Sequence, residues 1–170
     1  MSLPQTRTSA WISLLAGLML AAAAQAEGEM EILADEQDVD GQAGTATYRG
    51  NVEIRQQNLL IYADQVVFFE NEDGEYDRAE MRGQPVHLIS TPEGRAKTEA
   101  FAHFMEYNLQ TEHLLMQGEA RLKQERQDLR AERIEYDLPT ERIRASRGDG
   151  EDERVRVRFE RQSPDRENGS

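Results

Sequence analysis

Apolar and polar residues alternate with a period of two along most of the chain beyond residue 30, the spacing of strands that are wet on one face. Around Gly50, the residues Ala46, Tyr48, Val52 and Ile54 share one parity, opposite Arg49, Asn51, Glu53 and Arg55. Around Gly118, Leu114, Met116, Ala120 and Leu122 do the same opposite Gln117, Glu119, Arg121 and Lys123. Ala79 and Met81 precede Gly83 in phase, Pro85 interrupts, and Val86 and Leu88 resume. A proline there predicts an edge position or a bulge. Because these glycines fall in phase with the inward residues, each is expected to turn its missing side chain to the interior, where a strand bends or the opposite sheet comes close.

In a second kind of segment the phase slips. Leu59, Ile61 and Ala63 hold one parity and Val66 and Phe68 the other, and the same odd step recurs from Ala102 to Met105 and from Ala131 to Ile134. A repeated slip predicts a corner where one strand passes between sheets. Turns are expected at 71–74, 91–94 and 148–150 from their Asn, Asp, Pro and Gly residues. Ala34, Ala63, Ala102 and Ala131 are each followed five positions later by Val39, Phe68, Tyr107 and Tyr136. Ala34 and Ala102, Gly50 and Gly118, and Ala63 and Ala131 all lie 68 residues apart, so the second half echoes the first. Such repetition signals stacked units that bury their apolar faces only together. The segment from Gln124 to Arg144 is rich in helix formers, but register with the other units assigns Leu129 to Tyr136 to a strand. The fold class is all-β, built from repeated strand units.

The ends read differently. Residues 1–26 carry Arg7, an apolar run from Trp11 to Ala24 and the closing Ala24-Gln25-Ala26, the layout of a cleavable secretory signal. An uncleaved amino-terminal anchor is the alternative. One folded domain is expected over 27–162, and the polar stretch 163–170 is expected to be a disordered tail. Among 170 residues, 33 acidic side chains against 20 basic ones give a net charge of -13, which argues against nucleic acid as a partner. With no cysteine there is neither a disulfide framework nor a thiolate site, which suits export to a bacterial periplasm without requiring oxidation. His87, His103 and His113 lack metal-ligand spacing and read as surface or packed residues. No nucleophile motif or phosphate-cradling loop is present, so no catalytic residue, metal or cofactor is expected and the chain does not read as an enzyme.

What remains is the inward face itself. Tyr48, Phe68, Met81, Met105, Tyr107 and Met116 lie on it, joined by Val52, Ile54, Leu122, Ile134 and Tyr136. Such a stripe is either ordinary core, since methionine fills irregular gaps, or a slot between two sheets that admits acyl chains.

Five segments in order, Ile32-Leu33-Ala34-Asp35-Glu36-Gln37, Thr47-Tyr48-Arg49-Gly50-Asn51-Val52, Ile61-Tyr62-Ala63-Asp64-Gln65-Val66-Val67, Gly83-Gln84-Pro85 and Met105-Glu106-Tyr107, resemble the OstA-like periplasmic proteins over residues 30–159. The resemblance implies an open, twisted antiparallel β-jellyroll whose apolar groove shelters the acyl chains of lipid A, the membrane part of lipopolysaccharide, while sugars and phosphates stay in water. By position it places Met30, Ile32, Leu88, Met105 and Tyr107 in that groove. It implies a bridge between the inner and outer membranes, with the amino-terminal edge meeting LptC, the carboxy-terminal edge meeting the periplasmic domain of LptD, and copies of the chain stacking head to tail. The partner edges would be Glu31, Ile32, Leu33 and Ala34 at one end and Val155, Arg156, Val157, Arg158 and Phe159 at the other. Two features depart from the family pattern: the acidity of the chain and the arginine-rich stretch from Arg154 to Phe159. A structural β-solenoid or adaptor of the envelope, with a filled core and no lipid ligand, is the competing reading.

Overall fold

The computed structural model describes residues 30–91, 93–94, 96–148 and 154–159. The expected signal at 1–26 and tail at 163–170 lie outside the described residues, as does most of the turn expected at 148–150. All regular structure described is β: β1 (Met30–Leu33), β2 (Glu36–Asp40), β3 (Thr45–Gln56), β4 (Leu59–Glu70), β5 (Tyr76–Ser90), β6 (Thr98–Asn108), β7 (His113–Gln124), β8 (Gln127–Asp137), β9 (Arg142–Ser146) and β10 (Arg156–Phe159). They form one ten-stranded sheet in the order β1-β3-β4-β5-β6-β7-β8-β10, with β2 also beside β3 and β9 also beside β8. Every pairing is antiparallel. The helix formers between Gln124 and Arg144 lose to burial, because Leu129, Ala131 and Ile134 fall in register with Leu122, Ala120 and Met116.

A single sheet without helices buries a face only by folding on itself. The fold line runs across all six long strands. Register shifts lie between Arg49 and Val52, Tyr62 and Gln65, Arg82 and Val86, Phe101 and Phe104, and Gln117 and Ala120. On β3, Gly50 and Asn51 oppose Asp64 alone, and on β7, Gly118 and Glu119 oppose Glu132 alone, which are bulges that bend the strand. The sheet thereby becomes two leaves joined at a corner. The first leaf carries β1 and β10 on its margins and the second carries β2 and β9. Their inner faces share one apolar core.

The corner corrects the expectation for the glycines. Gly50 and Gly118 adopt φ of 75° and 78°, and a Cβ at either would meet the side chain of Asp35 or His103 on the outside of the bend, not the interior. Two residues opposing one reset the parity, so counting in twos across a bulge misplaces the residue inside it. Gly83 is the different member: it is buried, has no positive φ and packs on Pro85 and Val86. Pro85 lies in a central strand, at a bulge rather than an edge.

The echo at 68 residues is a structural repeat. Gly50-Asn51 and Gly118-Glu119, Gln57 and Glu125, and Gly44 and Glu112 are matched positive-φ positions. Asp40 and Asn108 each accept backbone hydrogen bonds from the residues two and three places on. Asp35 accepts from Asn51 at 2.8 Å, where His103 faces Glu119 at 3.8 Å. By this spacing β1 and β2 are one strand broken at Ala34-Asp35, equivalent to continuous β6; by their register on β8, the counterpart of β4, β9 and β10 are one broken strand equivalent to β5. The unit is four strands, used twice.

Candidate functional site

The inner face is a set of cross-strand rows running from one margin of the sheet to the other. Beside the corner on the second leaf lie Tyr48, Val66, Met81, Met105, Met116 and Ile134. On the first leaf the corner row is Val52, Ala63, Val86, Ala102, Ala120 and Ala131. Small side chains stand where the leaves converge and there is least room, which accounts for Ala63, Ala102 and Ala131 of the alanine frame, whereas Ala34 is exposed at the break after β1. Farther out on the second leaf are Ala46, Phe68, Ala79, Tyr107, Leu114 and Tyr136, extended to Val39 on β2 and Ile143 on β9. The corresponding row of the first leaf is Ile32, Ile54, Ile61, Leu88, Ala100, Leu122 and Leu129, ending on Val157.

All the residues assigned to the interior from sequence therefore sit on one face, but at two depths. Met81, Met105, Met116, Ile134 and Val52 are at most 2% exposed, and Ile54, Phe68 and Leu122 are also buried. Met30, Ile32, Tyr48, Leu88, Tyr107 and Tyr136 are only partly covered and pack against that core from its open side. Tyr48 meets Phe68 edge-on with ring centroids 6.0 Å apart, and Tyr76 lies 5.9 Å from Phe68. Burial raises the phenol pKa of Tyr107 and Tyr76, so both stay neutral at physiological pH. Leu59, Tyr76, Leu109, Leu129 and Leu138 belong to the same partly covered set; Leu59 shares the inward phase read for Ile61 and Ala63, and the other four were not assigned from sequence. The signal for Leu129 was present, since it repeats Ile61 at 68 residues, whereas Leu109 and Leu138 sit in turns where alternation stops.

Two recesses open beside the first leaf. One, about 570 Å³, is lined by Met30, Glu31, Ile32, Arg55, Gln56 and Gln57 at the β1 margin. The other, about 510 Å³, is lined by Ala96, Gln124, Glu125, Arg126, Gln127 and Phe159 at the β10 margin. The partner edges read from sequence lie on these margins, although Ala34 falls at the break after β1 and Val155 just before β10, because a margin strand has a neighbour on one side only and does not continue around the corner. Exposed large apolar residues concentrate there: Leu33, Val39, Ile143, Val155, Val157 and Phe159, with Tyr62 the exception.

The outer face mixes charged side chains with aromatic ones, Arg78 lying over Phe69, Arg82 over Phe104 and Tyr62 beside His87. Arg121 donates twice to Asp128, at 2.8 and 2.7 Å, and holds its pKa at about 2. His87 stacks on Phe101 with centroids 4.2 Å apart, and burial lowers its pKa. Among the described residues no group of His, Asp and Glu side chains is arranged to hold a metal, and no helix is long and apolar enough to cross a membrane.

Residues 31–142 match the model of the LptA/(LptD N-terminal domain) LPS transport proteins. The chain belongs to this family. Its curated relatives include the lipopolysaccharide export system protein LptH of Pseudomonas aeruginosa, 23% identical over 134 residues covering 78% of this chain and 77% of that one. LptA of Haemophilus influenzae is 26% identical over 119 residues, 69% of each chain. The crystal structure of Pseudomonas aeruginosa LptH, titled the LptA-homologous periplasmic component of the lipopolysaccharide transport device, superposes with a TM-score of 0.72 at 20% identity, over 80% of this chain and 98% of that one. The jellyroll expected from the sequence is thus the fold of the family, and a transport family agrees with the reading that this is not an enzyme.

Proposed function

We propose that this protein carries lipopolysaccharide across a Gram-negative periplasm, holding lipid A acyl chains between its two leaves and leaving sugars and phosphates in water. The observation that carries the reading is the apolar interior, which runs from the β1/β2 margin to the β9/β10 margin with apolar rows on both leaves. Each methylene moved into it contributes about 0.8 kcal/mol. Met30, Ile32, Tyr48, Leu88, Tyr107 and Tyr136 form the partly open wall, and the flexible Met81, Met105 and Met116 can reshape the floor. The signal at 1–26 would deliver the chain to the periplasm and be removed there.

Head-to-tail assembly is supported by the repeat. Since β6 corresponds to β1 and β2, and β5 to β9 and β10, the pairing of β5 with β6 is a covalent copy of a junction between successive molecules. Transferring its register sets Ile143 against Val39, Val157 against Ile32 and Phe159 against Met30 on the inner face. On the outer face it sets Arg142 against Asp40, Arg144 against Asp38 and Arg158 against Glu31, all of opposite charge. The amino-terminal margin would meet LptC in this way. The carboxy-terminal margin would meet LptD, whose amino-terminal domain belongs to the same family model.

The test is equilibrium binding of lipopolysaccharide to the wild type and to Leu88→Asp. An unpaired carboxylate in the apolar row should weaken binding at least tenfold while circular dichroism shows the sheet intact. Unchanged binding by a folded Leu88→Asp protein, or none by the wild type, would favour the adaptor with a filled core.

A further inference from the structure

The opening between the leaves has two unlike lips. The lip of the second leaf is built from the turns 41–44, 71–75, 109–112 and 138–141, which contain Glu72, Asp73, Glu75, Glu112 and Glu141 and neither lysine nor arginine. Asp40, Glu70 and Asp137 flank those turns. The turns of the first leaf are instead mixed in sign, with Glu93, Lys97, Glu125 and Arg126 among the described residues, and the inner row beside them is uncharged. Gln56 on β3, Leu59 on β4, Ser90 on β5, Thr98 on β6, Gln124 on β7 and Gln127 on β8 stand in cross-strand register, between Met30 and Phe159, so the hydrogen-bonding side chains are interrupted once, by Leu59. Both recesses open at this lip and each is balanced in charge, one holding Gln56 with Glu31 and Arg55 and the other Gln124 and Gln127 with Glu125 and Arg126.

We propose that the neutral lip is the head-group site: the phosphorylated sugar of a bound amphiphile lies against Gln56, Ser90, Thr98, Gln124 and Gln127, and the acidic lip keeps it there. This rests on the export reading, because it presupposes acyl chains between the leaves. With its chains inside, the head must lie at the opening, within reach of one lip or the other. A phosphate near the acidic turns would meet several like charges at short range, where repulsion is only partly screened by salt. The uncharged row offers amide and hydroxyl donors to phosphate and sugar oxygens and acceptors to sugar hydroxyls, beside turns whose acidic and basic side chains balance. The site therefore recognises the sugar and selects the orientation of the amphiphile by excluding its phosphates from one side.

The experiment compares two amphiphiles with the same acyl chains, lipid A and its dephosphorylated form, on the wild type and on the double variant Gln124→Glu/Gln127→Glu. These side chains are not buried, so the substitutions should leave the fold intact. The double variant should weaken binding of lipid A by on the order of tenfold and change binding of the dephosphorylated form less than about twofold. Asp73→Asn/Glu112→Gln, on the other lip, should tighten lipid A binding or leave it unchanged. Equal effects of the first pair on both amphiphiles would overturn the lip assignment. So would lipid A binding that needs magnesium and is lost with Asp73→Asn/Glu112→Gln, since the phosphates would then sit on the acidic side through a bridging cation. Failure of the wild type to bind either amphiphile would instead overturn the export reading beneath it.

Discussion

The seam where β5 meets β6 and the two free margins occupy equivalent positions in the four-strand repeat, yet they are made of different residues. At the seam Met81 lies against Met105 and both are fully buried; at the equivalent margin positions stand Ala145 and Gln37. On the outer face the seam sets Glu80 directly against Glu106, two like charges that Arg78 bridges by contacting both. The margins carry Arg142 and Arg144 on one side and Asp38 and Asp40 on the other. A seam held by the covalent chain tolerates a like-charge pair and relies on packing. Surfaces that must find each other from solution are expected to use charge, which steers encounter, and a short apolar row, which holds it.

The largest contrast should come from packing. Met105→Ala at the seam should cost about 3 kcal/mol in urea unfolding, whereas Gln37→Ala at the repeat-equivalent margin position should change the monomer by less than about 0.5 kcal/mol. Comparable losses at both would mean that the margin is already as tightly packed as the seam.

How much of this was legible depends on where the period of two survives. The inward residues, the repeat and the strand at Leu129 were all readable, because alternation on each side of the corner is clean. The direction of Gly50 and Gly118 was not, since an extra residue in a bulge leaves no mark in the hydropathy pattern and, unlike Asn51, Glu119 gives no compositional cue to its positive φ. Strand β9 was missed because Arg142 to Ser146 is mostly exposed and offers Ile143 and Ala145 alone as inward residues. The contrast between the lips was written in the turns, but it acquires meaning only when the corner brings both sets of turns to one opening.

The next contrast is electrostatic. Arg144→Asp should abolish the assembly seen by sedimentation velocity at low salt, weakening association by about tenfold or more, and a mixture with Asp38→Arg should restore it. The same change should leave unfolding of the isolated chain within about 0.5 kcal/mol. Assembly indifferent to Arg144→Asp would require a register other than that of the seam.

The smallest effect concerns pH. His87 at the seam is replaced by Arg156 at the margin. Because burial depresses the His87 pKa, the fold favours its neutral form; that contribution is complete above about pH 6.5 and is lost as pH falls toward the lowered value. Between pH 7 and pH 5 the wild type should lose up to about 1 kcal/mol, and His87→Phe should lose less. Equal pH dependence of the two proteins would remove His87 as the cause.

The equivalence of seam and margin also bears on how such a protein can change length. Six uninterrupted strands and a broken one at each side give an even number of strand courses, so the two sides of the molecule run in opposite directions. Tandem duplication of a four-strand gene segment preserves that evenness. The product is longer, yet in the proposed assembly it would present the same two ends to its neighbours as its parent. Reach per polypeptide is thus uncoupled from the chemistry of joining, and two copies fused through a linker no longer than the 91–97 loop would form a doubled rod that still fits between unmodified neighbours.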